Sequence, residues 1–303
     1  MNQTINRRRF MATTLSVLAA ISFPSFAFGR RKGRSLRFGI LTDIHYADRN
    51  PNMESGRYYR QSLQKVRECV EVMNREKVDF LIEIGDLKDQ GDPPDESETL
   101  SYLAAIESEL QEFSGPVFHV LGNHDMDSLS KIQFLDQITN EGQYDSLNYY
   151  SFSSHGYHFE VLDANYSIDG SDYDHGDFDW TKAFIPHRQL EWLRTDLALT
   201  GKPVIVFIHH QLDSPKVPDK RHCPVNADEV RRILEDSGKV KAVFQGHYHK
   251  GSFSEINGIF YYTLKAVVDG EGLENNNYAI VELNDVDPIK VRGFRKTKDQ
   301  TFE

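Results

Sequence analysis

The stretch that decides the fold is Val117–Asp125, which reads VFHVLGNHD. Its apolar first half predicts a buried strand, and the polar residues Gly122–Asp125 follow that strand at once. Four more apolar stretches have the same form, because each predicts a strand that ends in a short cluster containing Asp or His. These four clusters are Asp43-x-His45, Gly85-Asp86, His209-His210 and Gly246-His247-x-His249.

Helices and strands alternate around these clusters. Apolar residues indicate helices in 57–75, 98–113, 187–199 and 227–236. Further strands are predicted as a hairpin in 149–163 and near 252–264, 278–283 and 289–294. Alternation with antiparallel additions predicts an α/β fold with mixed sheets, in a single domain over residues 30–303. The polar segment 163–179 is predicted to be a surface loop.

Composition narrows the function classes. The chain has 303 residues, with 35 Lys and Arg against 46 Asp and Glu, so its formal net charge is −11. A net acidic chain is poorly suited to a nucleic-acid backbone, so no nucleic-acid partner is expected. The two cysteines exclude a disulfide-dense scaffold and a cysteine-based zinc site.

Residues 1–29 are predicted to be an export signal peptide. Arg7, Arg8 and Arg9 precede an uncharged run over 10–23, and small residues typical of a cleavage site follow. The segment 6–11 (NRRRFM) resembles a bacterial twin-arginine signal, which implies passage through the twin-arginine export machinery into the periplasm. After cleavage no stable membrane span is expected. The alternative is an uncleaved segment that anchors the chain in the membrane.

The five clusters predict a metal site. Functional sites of α/β sheets form beyond the carboxyl ends of the strands, so the clusters are expected to converge. Carboxylates, an amide and imidazoles buried together would be costly unless one or two divalent cations satisfied them. The ligand types suit Mn, Fe, Zn or Co. In Asp43-x-His45 the ligands are two residues apart, so both are expected on one face of an extended strand. Three glycines are expected to let the backbone approach the site closely: Gly85, Gly122 and Gly246.

In residue type and order, the five clusters resemble the calcineurin-like metallophosphoesterase superfamily. The resemblance implies a four-layer sandwich of two mixed β-sheets flanked by α-helices. It also implies two divalent metal ions. One would be bound by Asp43, His45 and His249, the other by Asn123, His209 and His247, with Asp86 bridging the pair. Relatives often have Pro where this chain has Gln211, which leaves the choice between His209 and His210 open.

The same resemblance implies an activity. It implies hydrolysis of phosphate esters, either phosphodiesters or phosphomonoesters, by in-line attack on phosphorus of a hydroxide held between the two ions. His124 would stabilise or protonate the leaving oxygen, and Asp125 would orient His124. A small phosphorylated molecule is the expected substrate. The alternative from a different class is a scaffold of the same fold that binds a partner without chemistry.

Residues after the first cluster offer candidates for substrate contacts. Aromatic and Arg side chains near a phosphate site can stack a base or bind a second phosphate, which makes Tyr46, Arg57 and Tyr58 candidates. This region weakly resembles the manganese-dependent ADP-ribose/CDP-alcohol diphosphatases, so a diphosphatase of nucleoside diphosphate conjugates is the second hypothesis. That branch usually has Gln at the position of His45. His175 and His222 lie in polar loops from which either could reach substrate.

Overall fold

The computed structural model describes residues 35–140, 148–284 and 286–303. The predicted export signal in 1–29 lies outside these residues. Within them the strands are β1 (Ser35–Leu41), β2 (Phe80–Ile84), β3 (Val117–Val120), β4 (Tyr150–Ser154), β5 (Tyr157–Leu162), β6 (Val204–Ile208), β7 (Val240–Gln245), β8 (Lys250–Ile256), β9 (Ile259–Lys265), β10 (Asn277–Asn284), β11 (Ile289–Arg295) and β12 (Gln300–Phe302). The α-helices there are α1 (Ser62–Glu76), α2 (Glu96–Leu110), α3 (Lys131–Leu135), α4 (His187–Leu199) and α5 (Ala227–Ser237).

The strands form two mixed sheets of six strands each. The first has the order β12-β11-β10-β1-β2-β3, and the second has the order β4-β5-β6-β7-β9-β8. In the first sheet β1, β2 and β3 are parallel, and β10 joins β1 antiparallel. In the second sheet β5, β6, β7 and β9 are parallel, with antiparallel strands at both edges. The predicted mixed α/β architecture is confirmed.

The two sheets pack face to face through an apolar layer. Phe38 of β1 stacks on Phe80 at 4.8 Å between ring centroids. The edge of the same ring contacts Phe159, Phe207 and Phe244 of the second sheet at 5.7 to 6.0 Å. Burying a side chain of this size contributes about 1.5–3 kcal/mol. Helices α1 and α2 cover the outer face of the first sheet, and α4 and α5 cover that of the second, which gives the predicted four layers.

Local signals explain where the elements begin and end. Helix α1 begins later than predicted because a short 3₁₀ turn, Tyr59–Gln61, precedes it. Helix α2 begins at Glu96 because the Asp95 side chain accepts a hydrogen bond from Glu98 N at 2.8 Å. The predicted segment 252–264 is a hairpin of two strands, since Asn257 and Gly258 both have positive φ at its turn.

The carboxyl ends of both parallel sets meet at one edge of the molecule. His209, which follows β6, donates from Nδ1 to the carbonyl of Ile84 in β2 at 2.8 Å. The backbone N–H of His247, after β7, donates to Oδ2 of Asp43 at 3.0 Å. These contacts bring the clusters from the two sheets into a single site. None of the helices in the described ranges has the length and apolar character needed to cross a bilayer.

Candidate metal centre

The first predicted ligand set is brought together by the structure. Asp43 and His45 are fully buried, and His249 is largely so. Nε2 of His249 lies 3.4 Å from Oδ1 of Asp43 and 3.2 Å from Nε2 of His45. One ligand atom from each residue lies within 4.8 Å of the others. Two imidazoles and a carboxylate at this spacing form a pocket for one divalent cation.

The second predicted set lies beside the first. Asp86, His209 and His247 also present ligand atoms within 4.8 Å of one another. Three buried atoms of this set have no hydrogen-bond partner within the described residues: Asn123 Oδ1, His209 Nε2 and His247 Nε2. A buried polar atom without a partner is costly, and a cation held between these three would satisfy them together. The donor set therefore fits a second metal ion.

Asp86 lies between the two sets, as the bridging role requires. Its Oδ2 is 3.4 Å from Nε2 of His45 on one side and 3.2 Å from Nε2 of His209 on the other. Burial alone would favour the neutral acid, but His209, His124 and His45 hold the pKa of Asp86 well below its ordinary value. The carboxylate is thus ionised and reaches both pockets.

Hydrogen bonds behind the ligands orient the imidazoles. The Nδ1 of His209 donates to a backbone carbonyl, and Nδ1 of His249 lies 2.9 Å from Oδ1 of Asp269. Each contact directs the Nε2 of that ring toward the cluster, an arrangement that is usual for metal-ligating histidines. Asp269 follows β9 and was not predicted, because no pattern in the sequence connects it with His249.

The backbone at the ligands is strained. Asp43, His45, Asp86 and His247 all have positive φ, between 46° and 67°. Holding a residue in this conformation costs about 1–3 kcal/mol of folding free energy. The conformation persists only where contacts with the surrounding structure impose it. The alternation of side chains along an extended strand was predicted to align Asp43 and His45. That prediction is wrong, because both residues lie beyond the end of β1. The left-handed conformation aims both side chains at the site instead.

Glycine allows two loops to touch at the site. A Cβ on Gly122 would lie 2.1 Å from the backbone nitrogen of Asp86, and a Cβ on Gly246 would lie 2.2 Å from Oγ1 of Thr42. Neither neighbour is able to move away, because each is buried in the ligand loops. The close approach expected from these glycines is confirmed.

The structure distinguishes His209 from His210. His209 contacts Asp86, whereas the ring of His210 points toward His247, with 4.6 Å between centroids. Neither nitrogen of His210 has a hydrogen-bond partner in the described part of the chain. Burial and the neighbouring His209 lower the pKa of His210 to about 3, so the ring stays neutral. His209 is the residue placed to bind metal.

His124 lies at the site, but its predicted partner is wrong. Nδ1 of His124 is 2.6 Å from Oδ2 of Asp127, not from Asp125. Asp125 is fully buried and accepts backbone N–H groups from Gly122 at 2.7 Å and Leu87 at 2.9 Å. The 3₁₀ turn at Asn123–Met126 explains the error, because a tight turn brings residues three apart together. Asp125 braces the ligand loops, and Asp127 orients His124.

The carboxylates around His124 favour its charged form. Burial opposes the charge, but Asp127 and Asp86, with Asp89, raise the pKa of His124 to about 9. The imidazole therefore carries a proton at neutral pH. Its side chain is 28% exposed, so it can reach a bound molecule.

A cavity of about 250 Å³ opens over the ligands. Its lining residues are Arg57, Asp86, Asn123, His124, Trp180, His222, His247 and His249. Of the three predicted substrate contacts, only Arg57 lies here. Tyr46 instead packs edge-on against Tyr102, with 6.2 Å between centroids, and Tyr58 is not in the cavity wall. His175 is also elsewhere, in an ion pair with Asp174 and Glu96 at the surface.

The cavity wall contains an aromatic residue that sequence reasoning missed. Trp180 meets His247 edge-on at 5.3 Å, and the ring of His222 lies 4.8 Å from that of His247. Trp180 follows the segment 163–179, which was predicted to be a surface loop. That prediction is wrong for Asn165 and Tyr166, which are fully buried and anchor the segment against the protein.

Comparison with known proteins identifies the family. Residues 36–251 match the family described as calcineurin-like phosphoesterase, which covers all five clusters. The chain belongs to this family. It is a metal-dependent phosphoesterase and therefore an enzyme, as its ligand clusters predicted. The scaffold alternative has no support.

Relatives of this phosphoesterase carry different activities in their names. The chain is 29% identical to a manganese-dependent ADP-ribose/CDP-alcohol diphosphatase of Arabidopsis thaliana, over 77% of this chain and 86% of that protein. It is 26% identical to a probable cyclic nucleotide phosphodiesterase of Fibrobacter succinogenes, over 71% of this chain and 73% of that protein. Among solved structures, a dimetal phosphatase from Danio rerio has the same fold, with a TM-score of 0.77 and 24% identity over 88% of this chain and 98% of that one.

Proposed function

We propose that this enzyme hydrolyses the diphosphate bond of nucleoside diphosphate conjugates such as ADP-ribose and CDP-alcohols. The observation that carries the proposal is the position of Arg57 in the cavity wall. Its Nη2 lies 3.4 Å from Nε2 of His249, so the guanidinium is next to the first metal pocket. A substrate with two phosphates can place one at the metals and the other on this cation.

Two divalent ions are proposed to fill the two pockets. Asp43, His45 and His249 would hold one, Asn123, His209 and His247 the other, and Asp86 would contact both. When bound, such a pair polarises the phosphate and makes a nucleophile from water near neutral pH. Carboxylate, amide and imidazole ligands suit manganese, and the diphosphatase relatives carry that metal in their names. We propose Mn²⁺ as the physiological ion.

The chain's own residues supply the remaining steps. His124, protonated and held by Asp127, donates its proton to the leaving phosphate oxygen. Arg57 binds the phosphate that is not attacked, and its Nη1 lies 4.0 Å from Oδ2 of Asp89, a buried carboxylate that fixes the guanidinium. Trp180 offers an aromatic surface to the base or sugar of the conjugate.

The proposal is tested by comparing substrates on one preparation. The purified enzyme is stripped of metal, reloaded with Mn²⁺ and assayed on ADP-ribose, CDP-choline, cyclic AMP, bis-p-nitrophenyl phosphate and p-nitrophenyl phosphate. We expect the highest kcat/KM on ADP-ribose or CDP-choline. A higher value on cyclic AMP or on the synthetic diester would overturn the proposal.

A cyclic nucleotide phosphodiesterase is the second candidate. The observation in its favour is His45, which is buried beside His249 where the diphosphatase branch usually has Gln. Relatives with that function in their names are 23–28% identical to this chain. The cyclic AMP arm of the same assay decides between the two candidates.

Arg57→Ala separates diphosphates from simple esters. We expect KM for ADP-ribose to rise roughly 10- to 100-fold, because a hydrogen bond to a charged group contributes about 1.5–3 kcal/mol. Hydrolysis of p-nitrophenyl phosphate, which has one phosphate, should change little. Arg60→Ala is the matched control, since Arg60 lies in the same segment but pairs with Asp48 at the surface. An equal loss on both substrates would contradict the role given to Arg57.

We also propose that the enzyme acts outside the cytoplasm. Support comes from the sequence of residues 1–29 alone, with Arg7 and Arg8 in the twin-arginine-like segment. Replacing both with Lys is expected to keep a reporter-tagged full chain in the cytoplasmic fraction of a bacterial host. Wild-type chain in the membrane fraction, uncleaved, would instead support the anchored alternative.

A further inference from the structure

A separate group of ligand-type side chains lies away from the cavity. His158 and Glu160 are on β5 and Asp196 is on α4, and their ligand atoms lie within 4.8 Å of one another. Nε2 of His158 is 3.1 Å from Oδ2 of Asp196 and 3.5 Å from Oε1 of Glu160. His158 pairs with the first residue of β6, whereas His209 follows its last, a separation of roughly 16 Å along the strand.

Glu160 is the residue that calls for an explanation. It is 0% exposed, and neither carboxylate oxygen has a hydrogen-bond partner in the described ranges. It shares its face of β5 with Leu162, which packs in the apolar layer beneath α4. A carboxylate in such a layer is costly without a partner, and burial raises the pKa of Glu160 to about 7. His158, at 3.5 Å, is too far for a good hydrogen bond.

The orientation of His158 suits a metal ligand. Its Nδ1 is 2.9 Å from Oγ of Ser153, which lies directly opposite on β4. That contact fixes the ring so that Nε2 points at the two carboxylates. Metal-ligating histidines usually have their other ring nitrogen tied in this way, and loss of such a contact weakens binding about 10- to 100-fold.

We propose that His158, Glu160 and Asp196 bind one divalent transition-metal ion, best matched by Zn²⁺, that joins α4 to β5. One imidazole and two carboxylates are a usual zinc donor set, with water in the remaining position. The Asp196 side chain is 22% exposed, which gives the ion and its water access from solvent. The site is structural: it replaces the unpaired Glu160 carboxylate with a link between a helix and the strand beneath it.

The rival arrangement contains no metal. In it a protonated His158 lies between the two carboxylates and forms an ordinary buried ion-pair cluster. The two arrangements differ in the number of ions that the full chain binds. The dinuclear centre contributes two, so a filled third site gives three.

The test is the Zn²⁺ content of the full chain after equilibrium dialysis with ZnCl₂ and removal of free ion. We expect three zinc ions per chain in the wild type and two in Glu160→Gln, with ester hydrolysis in that variant retained. Ser153→Ala should bind the third ion about 10- to 100-fold more weakly. His187→Gln is the control, because His187 is an exposed histidine on the same helix and should leave the count at three.

A second measurement decides the matter without any variant. Crystals of the zinc-loaded wild type, measured above and below the zinc edge, should show an anomalous peak among His158, Glu160 and Asp196. Two ions per chain with no such peak would overturn the proposal. So would a Glu160→Gln variant that still binds three. Loss of the two ions at the dinuclear centre alone would not affect this proposal. It would contradict the two-ion centre described under the proposed function.

Discussion

Asp86→Ala is expected to lower kcat/KM by roughly 10³- to 10⁴-fold. Asp86 is the carboxylate whose Oδ2 lies 3.4 Å from Nε2 of His45 and 3.2 Å from Nε2 of His209, so its side chain contacts an imidazole of each ligand set. Its loss leaves two separate, less charged pockets. A paired metal site provides several kcal/mol of transition-state stabilisation, and each 1.36 kcal/mol is tenfold in rate. The variant should fail in chemistry more than in substrate binding.

The metal readout for this variant does not depend on activity. Two Mn²⁺ ions about 3.5–4 Å apart are magnetically coupled, so the wild type should show the electron paramagnetic resonance signal of a coupled pair. Asp86→Ala should lack that signal. Asp48→Ala is the control, because Asp48 is an exposed carboxylate near the first cluster and its loss should change neither signal nor rate. A coupled pair that survives in Asp86→Ala would remove Asp86 from the bridging position.

The fold was predictable because its signals are local and repeated. The parallel strands are largely apolar runs, most completely in Val204–Ile208, since both faces of these strands are covered. The helices show their buried stripes, and α4 matches its predicted range. Among the predicted helices only boundaries moved, where a 3₁₀ turn precedes α1 or where Asp95 caps α2, whereas the short elements α3 and β12 were not predicted. Those details depend on a few side chains rather than on periodicity.

The ligands were predictable for a related reason. Every one of them lies within a few residues of a strand end, and parallel strands bring their carboxyl ends to one edge. What the sequence could not show was the backbone conformation there. The positive φ of Asp43 and of Asp86 is imposed by contacts between loops from different strands. Alternation along a strand therefore gave the right ligands for an incorrect reason.

The residues that were missed act through contacts between distant segments. Asp269 reaches His249 from the loop after β9, and Trp180 reaches His247 from the segment before α4. Neither residue belongs to a motif, and Trp180 follows a polar stretch that predicted a surface loop. Asp127 is the opposite case, because it is three residues from His124 and a 3₁₀ turn would have predicted the contact. Assigning the orienting role to Asp125 assumed that the adjacent carboxylate is the nearer one.

His124→Ala is expected to lower kcat by about 10²- to 10⁴-fold on ADP-ribose while the coupled Mn²⁺ pair remains. His124 belongs to neither of the two predicted ligand sets, although it also lies near His45 and Asp89; its Nδ1 is 2.6 Å from Asp127 and its ring faces the cavity. The loss should be smaller on p-nitrophenyl phosphate, because the phosphate that leaves from ADP-ribose gains a second negative charge beside the cationic ring, whereas p-nitrophenolate delocalises its single charge. A variant that lost the metal pair, or that lost equal activity on both substrates, would show that His124 supports the site rather than protonating the leaving group.

The Asp127→Asn variant tests the role of His124 as proton donor through the pH dependence of kcat. The Asp127 carboxylate is the strongest of the neighbours that raise the pKa of His124, so its neutralisation should lower that pKa. A general acid works only while protonated, and the alkaline limb of kcat against pH should therefore move to lower pH in Asp127→Asn. At pH values below that limb the variant should approach the wild-type rate, since the amide still holds the ring. Asp125→Asn, by contrast, removes a brace of the ligand loops, so it should lower metal content at every pH without moving the limb.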